Sequence, residues 1–370
     1  MKITNFSILL LVFFIFPITF AQPRVGFYNN SCPNAETIIQ TLVSDEFESD
    51  PTITAALLRM HFHDCFVGGC DGSILLNSTD SERFVGPNLS VRGFELIDEI
   101  KAELEAQCPS NVSCADIMAL ATRDSVALSG GPSYNIPTGR RDGLRTNANG
   151  VFNLIGPTAS VAAFLSFFGD KDMNTLDAVA LLGAHTVGVG SCDLFQDRLV
   201  NFNGTGLPDP SMDSDLVANL TTICEASENP STGLDRSTPL TFDNAFFGQI
   251  RVRRGVLQLD QRLATDEATS SVVAQYAADN DLFKRQFAIA MVKMGAVDVF
   301  TGEDGEIRTN CWAVRLSISR VTIVNYYGRN WRPSWIPSMA VSLGTDQVRM
   351  VSGSSRTIKK EKNTVQMLAL

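Results

Sequence analysis

The sequence predicts an all-α domain over residues 22–311, with long loops tied by disulfides. Three observations carry this. Seven segments space apolar residues three and four apart, as one face of an amphipathic helix requires. Strand-type alternation is scarce. Eight cysteines are distributed along the 370-residue chain, an even number that suits a disulfide framework in an oxidising compartment. Apolar residues make up 44% and charged residues 19%, enough to build a core.

Taken in order, the chain starts with Lys2, the apolar run "SILLLVFFIFPITF" and the small residue Ala21. That is the layout of a secretory signal peptide, expected over 1–21 with cleavage after Ala21. The run is shorter than the roughly 20 residues of a membrane span, and Pro17 interrupts it, so no membrane anchoring is expected. The helical segments follow: "NAETIIQTLVSDEF", "TITAALLRMHFHDC", "GFELIDEIKAELEAQC", "SCADIMALATRDSVALS", "SVAAFLSFFGD", "TLDAVALLGAHTVG" and "FKRQFAIAMVKMGAV". Gly, Pro, Asp and Asn loops such as "GGPSYNIPTGRRDG" separate them. The cysteines are Cys32, Cys65, Cys70, Cys108, Cys114, Cys192, Cys224 and Cys311; eight allow 105 pairings, so spacing alone does not choose among them. Asn29, Asn77, Asn111, Asn203 and Asn219 begin glycosylation sequons, in keeping with secretion.

Beyond Cys311 the composition changes. Trp312, Trp331 and Trp335 are all the tryptophans of the chain, and the tail carries nine Lys/Arg against two Asp/Glu. Residues 312–370 are therefore read as an unstructured extension, either a sorting signal or a gene-model artefact. The whole chain is −10, the tail +7 and Lys2 +1, which leaves −18 for residues 22–311. So acidic a body argues against a nucleic-acid partner, which clustered Lys/Arg would attract.

The chemistry centres on three histidines. His61 and His63 share "LLRMHFHDCF" (57–66), and His185 follows an apolar stripe of Ala178, Leu181 and Leu182. One reading is a zinc site of His61, His63 and His185 with an open fourth position. It needs His61 and His63 on one face, which a strand supplies and a helix does not. The other reading places Arg59 and His63 at i, i+4 on one helix face, where His63 moves protons and Arg59 stabilises negative charge. His185 is then either a core histidine or a ligand to haem iron. After His63, "DCFVGGCDGS" offers Asp64, Asp71 and Ser73 as hard oxygen donors, and "DRSTPLTFD" offers Asp235, Thr238, Thr241 and Asp243. Both suit calcium more than a softer metal, though neither has EF-hand spacing.

Those pieces, with "VSCADIMALATRDSVALSGGPSYNIPTGRRDG" and "LLGAHTVGVGSC", closely resemble the secreted plant haem peroxidases, class III. The resemblance runs from about Gln22 to Cys311. It implies a two-lobed all-α fold holding one haem b non-covalently, two Ca²⁺, and the bridges Cys32–Cys108, Cys65–Cys70, Cys114–Cys311 and Cys192–Cys224. By motif, His63 is the distal acid–base, Arg59 its partner and Phe62 the aromatic beside them. Asn88 orients His63, and is then buried and not glycosylated despite its sequon. His185 is the proximal iron ligand and Asp260 accepts its N–H. The first calcium takes Asp64, Val67, Gly69, Asp71 and Ser73, with Glu82 through a water; the second takes Thr186, Asp235, Thr238, Thr241 and Asp243. Pro137 is the substrate-edge proline. The activity implied is peroxide-dependent one-electron oxidation of phenolic donors by a monomer, in lignin formation and peroxide removal at the cell wall, or in the vacuole if the tail is a sorting signal. A zinc hydro-lyase or hydrolase, and a catalytically silent wall protein, stand as alternatives. The chain departs from the family pattern in Tyr134, where Trp is common, and in its 59 residues past Cys311.

Overall fold

The computed structural model describes residues 22–315; the expected signal peptide and the tail after 315 lie outside the described residues. Twelve α-helices are described: α1 (Ala35–Ser49), α2 (Ile53–Val67), α3 (Phe94–Gln107), α4 (Cys114–Leu128), α5 (Val161–Gly169), α6 (Thr175–Leu182), α7 (Gln196–Val200), α8 (Ser214–Glu225), α9 (Ala245–Arg251), α10 (Gln258–Leu263), α11 (Ser270–Ala278) and α12 (Asn280–Met294). The described sheet is one antiparallel pair, β1 (Val189–Ser191) with β2 (Ser231–Gly233), in the register Val189–Gly233. The protein is thus all-α, as its periodicity predicts.

The helices fall into two groups. In the first, α1 packs on α3 and α4, and α4 also covers α2. In the second, α12 packs on α6 and α11, and α11 on α9. Helix α2 runs through the interior: every residue from Ile53 to Phe66 is buried. A helix buried all round needs no amphipathic stripe, which is why its few polar residues stand out. Side-chain caps fix several starts, as Ser, Asn and Asp do at N-termini. Ser113 accepts from the Asp116 amide, Ser160 from Ala163, Asp213 from Leu216 and Asp279 from Leu282. Asn174 and Asp177 form a reciprocal capping box on α6.

The stripe leading to His185 ends earlier than its sequence suggests. Helix α6 stops at Leu182, and His185 lies in the 3₁₀ turn 183–186. Gly183 starts that turn for a steric reason: a Cβ there would come within 2.6 Å of the Phe283 ring and 2.7 Å of Phe247. The turn therefore seats against α12 and α9, which fixes the histidine's depth.

Disulfides join Cys32 to Cys108, Cys65 to Cys70, Cys114 to Cys311 and Cys192 to Cys224. The third ties the chain's last described segment to the start of α4. That segment continues past Cys311: the Trp312 carbonyl accepts from the Asn77 amide at 2.9 Å, and the Arg315 amide reaches the Glu306 carboxylate. The folded part therefore includes residues 312–315, which the change in composition assigns to the tail.

Candidate active site

A cleft of about 220 Å³, open to solvent, has Arg59, Phe62, His63 and Phe168 on one wall and Leu182, His185, Leu257, Leu259 and Asp260 on the other. Its rim is Pro87 and residues 154–157. Each wall holds one imidazole whose Nδ1 is fixed by a neighbour.

On the first wall, α2 delivers Arg59 and His63 one turn apart, and the Arg59 Nε–H donates to His63 Nε2 at 3.2 Å. His63 Nδ1 meets the Asn88 side-chain oxygen at 2.5 Å, and the Asn88 amide nitrogen donates to the Glu82 carbonyl at 3.0 Å. An amide so anchored presents its oxygen, so the proton sits on Nδ1 and Nε2 keeps its lone pair. Burial, and then the Arg59 charge, push the His63 pKa down to about 3, against a smaller upward pull from Asn88. His63 is a neutral base. Arg59 is held by the Pro87 carbonyl at 2.6 Å and the Ser90 hydroxyl at 2.7 Å; burial lowers its pKa to about 10, which leaves it charged at neutral pH. Phe62 lies parallel to Phe168 at 6.1 Å and edge-on to His63 at 5.8 Å, which keeps this wall apolar. Asn88 is 1% exposed, so its sequon is out of reach of a glycan.

On the second wall, His185 Nδ1 donates to Asp260 Oδ1 at 2.9 Å. Phe246 stands edge-on to the ring at 5.9 Å. Both His185 and Asp260 are buried. The ring's other nitrogen, Nε2, is the one that would hold a haem iron. Apolar walls, one imidazole with a carboxylate behind it, and a base with a cation across the gap fit a haem. These are the walls a large flat apolar ring needs, and the donor set iron prefers.

His61 does not join the other two histidines. It is fully buried away from the cleft, its Nδ1 lies 3.7 Å from Cys65 Sγ, and Nε2 has no partner. Burial, aided by Arg140, lowers its pKa to about 3. His63 and His185 line the cleft and His61 does not, because helical phase sends His61 and His63 to different sides; the three-histidine zinc reading does not fit.

Two oxygen-rich loops flank the walls. Beside α2, Asp64, Asp71 and Glu82 are buried together. Burial, then Asp71, raises the Asp64 pKa well above the carboxylate range, and burial raises those of Asp71 and Glu82. Glu82 Oε2 and Ser73 Oγ are buried without a hydrogen-bond partner. Buried oxygens without partners and crowded carboxylates are a donor set that suits a hard cation. The Val67 carbonyl accepts from Asn147 at 3.1 Å and the Gly69 carbonyl from the Asp71 amide at 2.8 Å; each keeps a second lone pair. Beside His185, the Thr186 hydroxyl lies 3.4 Å from Asp235 Oδ2, Asp243 Oδ1 and the Thr241 carbonyl. Thr238 Oγ1 lies 3.2 and 3.1 Å from the same two carboxylates. Oxygens about 3 Å apart suit neighbouring ligands of Ca²⁺, whose bonds are roughly 2.3–2.6 Å.

The Pro137 carbonyl accepts from the buried Arg140 at 2.8 Å. Leu154, Ile155, Gly156 and Pro157 line the cleft together with Pro87. Ser90 and the Pro87 carbonyl, which hold Arg59, are also absent from the motif reading. "GPNLS", two residues from Asn88 at most, was the available signal. Among the sequons, Asn29, Asn77, Asn203 and Asn219 are exposed and Asn111 is half-buried.

A family model described as Peroxidase matches residues 39–279. The chain is 65% identical over 311 residues to Peroxidase 57 of Arabidopsis thaliana, covering 84% of this chain and 98% of that one. It is 62% identical over 320 residues to Peroxidase 28 of the same plant, covering 85% and 99%. To Peroxidase N1 of Nicotiana tabacum it is 46% identical over 297 residues, covering 79% and 90%.

Proposed function

The chain belongs to the peroxidase family and is an enzyme that oxidises donor substrates with hydrogen peroxide, and from that premise we propose how its own residues do so. Haem is its cofactor; when bound, it supplies the redox centre that accepts oxidising equivalents from peroxide and draws single electrons from donors. His185 would hold the iron through Nε2. Asp260 at its Nδ1 makes that nitrogen more electron-rich, which favours the oxidised states of the metal. The apolar walls exclude water, so the charges facing the gap act at low dielectric.

Across the gap His63 Nε2 takes a proton from one peroxide oxygen and returns it to the other, which leaves as water. Arg59 stabilises the negative charge that grows on the departing oxygen. Asn88 keeps the proton of His63 on Nδ1, so that Nε2 is ready to accept. The single observation carrying this is the pair of fixed imidazoles on opposite walls of one cleft. The partly exposed segment 154–157 lines the open side of the cleft, which suits one-electron donors of the small phenol class without a closed pocket. We read the two oxygen loops as calcium sites bracing each wall: Asp64 follows His63 directly, and Thr186 follows His185. Asp64, Val67, Gly69, Asp71, Ser73 and Glu82 would serve one; Thr186, Asp235, Thr238, Thr241 and Asp243 the other. Four bridges and the exposed sequons favour secretion, and the proposed form is a monomer acting on cell-wall phenols in lignin formation. Among the described residues no helix is long and apolar enough to cross a membrane.

Absorption spectroscopy of the purified protein, paired with guaiacol oxidation, tests this reading. A strong Soret band that weakens or shifts in His185→Ala is expected; an unchanged spectrum in that variant would refute the axial assignment.

A further inference from the structure

The last described segment reaches into the loop beside α2 with a single charged side chain. Its backbone pairs with residues 141–142: the Arg141 amide donates to Phe300 at 2.9 Å, and Asp142 and Glu306 exchange amide bonds at 2.8 and 2.9 Å. From this segment Arg308 points inward and is fully buried. Its guanidinium hydrogen bonds all go to backbone carbonyls. Nη1 donates to Gly72 at 2.7 Å and Cys311 at 3.1 Å, and Nη2 to Gly143 at 2.6 Å. Nε has no partner.

A buried cation without a carboxylate in salt-bridge contact is costly to keep. The positions of its acceptors suggest why it is kept. Gly72 and Gly143 lie on either side of Asp71. Gly72 follows it in sequence, and the Gly72 amide donates to Asp64 Oδ2 at 2.9 Å. Gly143 donates its amide to the Asp71 carbonyl at 2.8 Å. A Cβ on Gly143 would lie 2.1 Å from Asp71 Oδ2, so the two segments are in van der Waals contact at the carboxylate. The guanidinium fork thus fixes the spacing between the strand-like segment at 141–143 and the loop at 71–73. Asp142 locks the other end: its carboxylate accepts from the Arg308 amide at 2.9 Å and the Ala115 amide at 2.9 Å, next to the Cys114–Cys311 bridge.

We propose that Arg308 is a positioning residue for the calcium loop beside α2, clamping the carbonyls of Gly72 and Gly143 so that Asp64 and Asp71 are preset to bind the ion. The inference rests on the calcium reading above. It makes the C-terminal segment part of a site more than two hundred residues away in sequence. A planar fork is needed because two carbonyls on separate segments are bridged at once, which a lysine ammonium on a flexible stem does poorly.

The test is calcium content and affinity of the haem-loaded protein, measured by metal analysis after dialysis against graded chelator–Ca²⁺ buffers. Wild type, Arg308→Gln, Arg308→Lys and Asp71→Asn are compared, with far-UV circular dichroism and thiol titration confirming fold and bridges. Under buffers where wild type keeps two calcium ions, Asp71→Asn and Arg308→Gln are expected to keep one, and excess Ca²⁺ should restore the second in Arg308→Gln, with an affinity at least tenfold weaker. Arg308→Lys should also weaken it tenfold, and serves as the test if Arg308→Gln does not fold. A role confined to general stability would lower the melting temperature and leave calcium affinity unchanged. Unchanged affinity in the folded Arg308 variants, with the ion lost in Asp71→Asn, overturns the inference and leaves the calcium site standing. Equal calcium content in wild type and Asp71→Asn overturns the site, and the inference with it.

Discussion

The two walls of the cleft carry the same side chain in the same arrangement, an imidazole held at Nδ1, yet the partner differs. His63 is held by the neutral oxygen of Asn88, His185 by the carboxylate of Asp260. A neutral amide accepts a hydrogen bond and adds no net charge. It fixes the tautomer, and His63 stays a neutral base whose pKa burial has lowered to about 3. A carboxylate pulls the Nδ1 proton toward itself and enriches Nε2 as a metal ligand. On the proposed mechanism, the group at Nδ1 decides whether the opposite nitrogen exchanges protons or holds a metal. Arg59 completes the difference: a cation faces the first imidazole at 3.2 Å and keeps it unprotonated.

The largest effect should follow from emptying the proton-transfer wall. His63→Ala is expected to slow the reaction with peroxide by about 10²–10⁴-fold, the usual range for loss of a general acid–base, measured by stopped-flow absorbance. The Soret band should persist, since the other wall is intact. Making the walls more alike is the next test. Asp260→Asn converts the ligand wall's partner into the neutral type and should cost about 10–100-fold in activity, as partners of metal-ligating histidines do. The iron's reduction potential should rise with it, which spectroelectrochemistry would detect; an unaltered potential would mean that Asp260 only packs.

The smallest effect concerns the histidine on neither wall. His61 is buried and neutral, its pKa lowered to about 3 from 6.5. Between those values the unfolded chain binds a proton that the folded chain refuses, so this group's stabilising contribution is full above pH 6.5 and is lost as pH falls toward 3. Relative to wild type, His61→Gln should therefore melt less steeply with acidification over that window, by up to ~1.4 kcal/mol per pH unit. Asp64 and Asp71 have raised pKa values and act in the opposite sense, but they are common to both proteins and drop out of the difference.

Much of this was legible locally. The i, i+4 spacing brought Arg59 and His63 together, and the same phase separated His61. The long helices with apolar stripes, such as α1, α3 and α12, were visible for the same reason. Helices α7, α9 and α10 are not, because seven residues or fewer make too few turns to show a period; α8 and α11, with twelve and nine residues, also lie outside the seven segments read as helical. The β1–β2 pair has three residues a strand and shows no alternation. His185 was placed on a helix that in fact ends at Leu182, since only the packed structure shows Phe283 against Gly183. Asp260 lies 75 residues from His185, so no local pattern joins them; family likeness did. The loop at 154–157 lines the cleft without any local sequence signal, because only the packed structure brings it beside Arg59. Arg308 carries no local signal either, because its acceptors, at Gly72 and Gly143, are contributed by distant segments.

The central claim, that the Nδ1 partner sets each imidazole's role, is tested most directly by giving the first wall the second wall's partner. The measurement is the pH dependence of the rate of reaction with peroxide in wild type and Asn88→Asp. A carboxylate at Nδ1 favours the imidazolium, so the acid limb, which lies well below pH 6.5 in wild type, should move up by a pH unit or more, with the rate above the limb falling less than in His63→Ala. An acid limb at the same pH in both proteins would contradict the account.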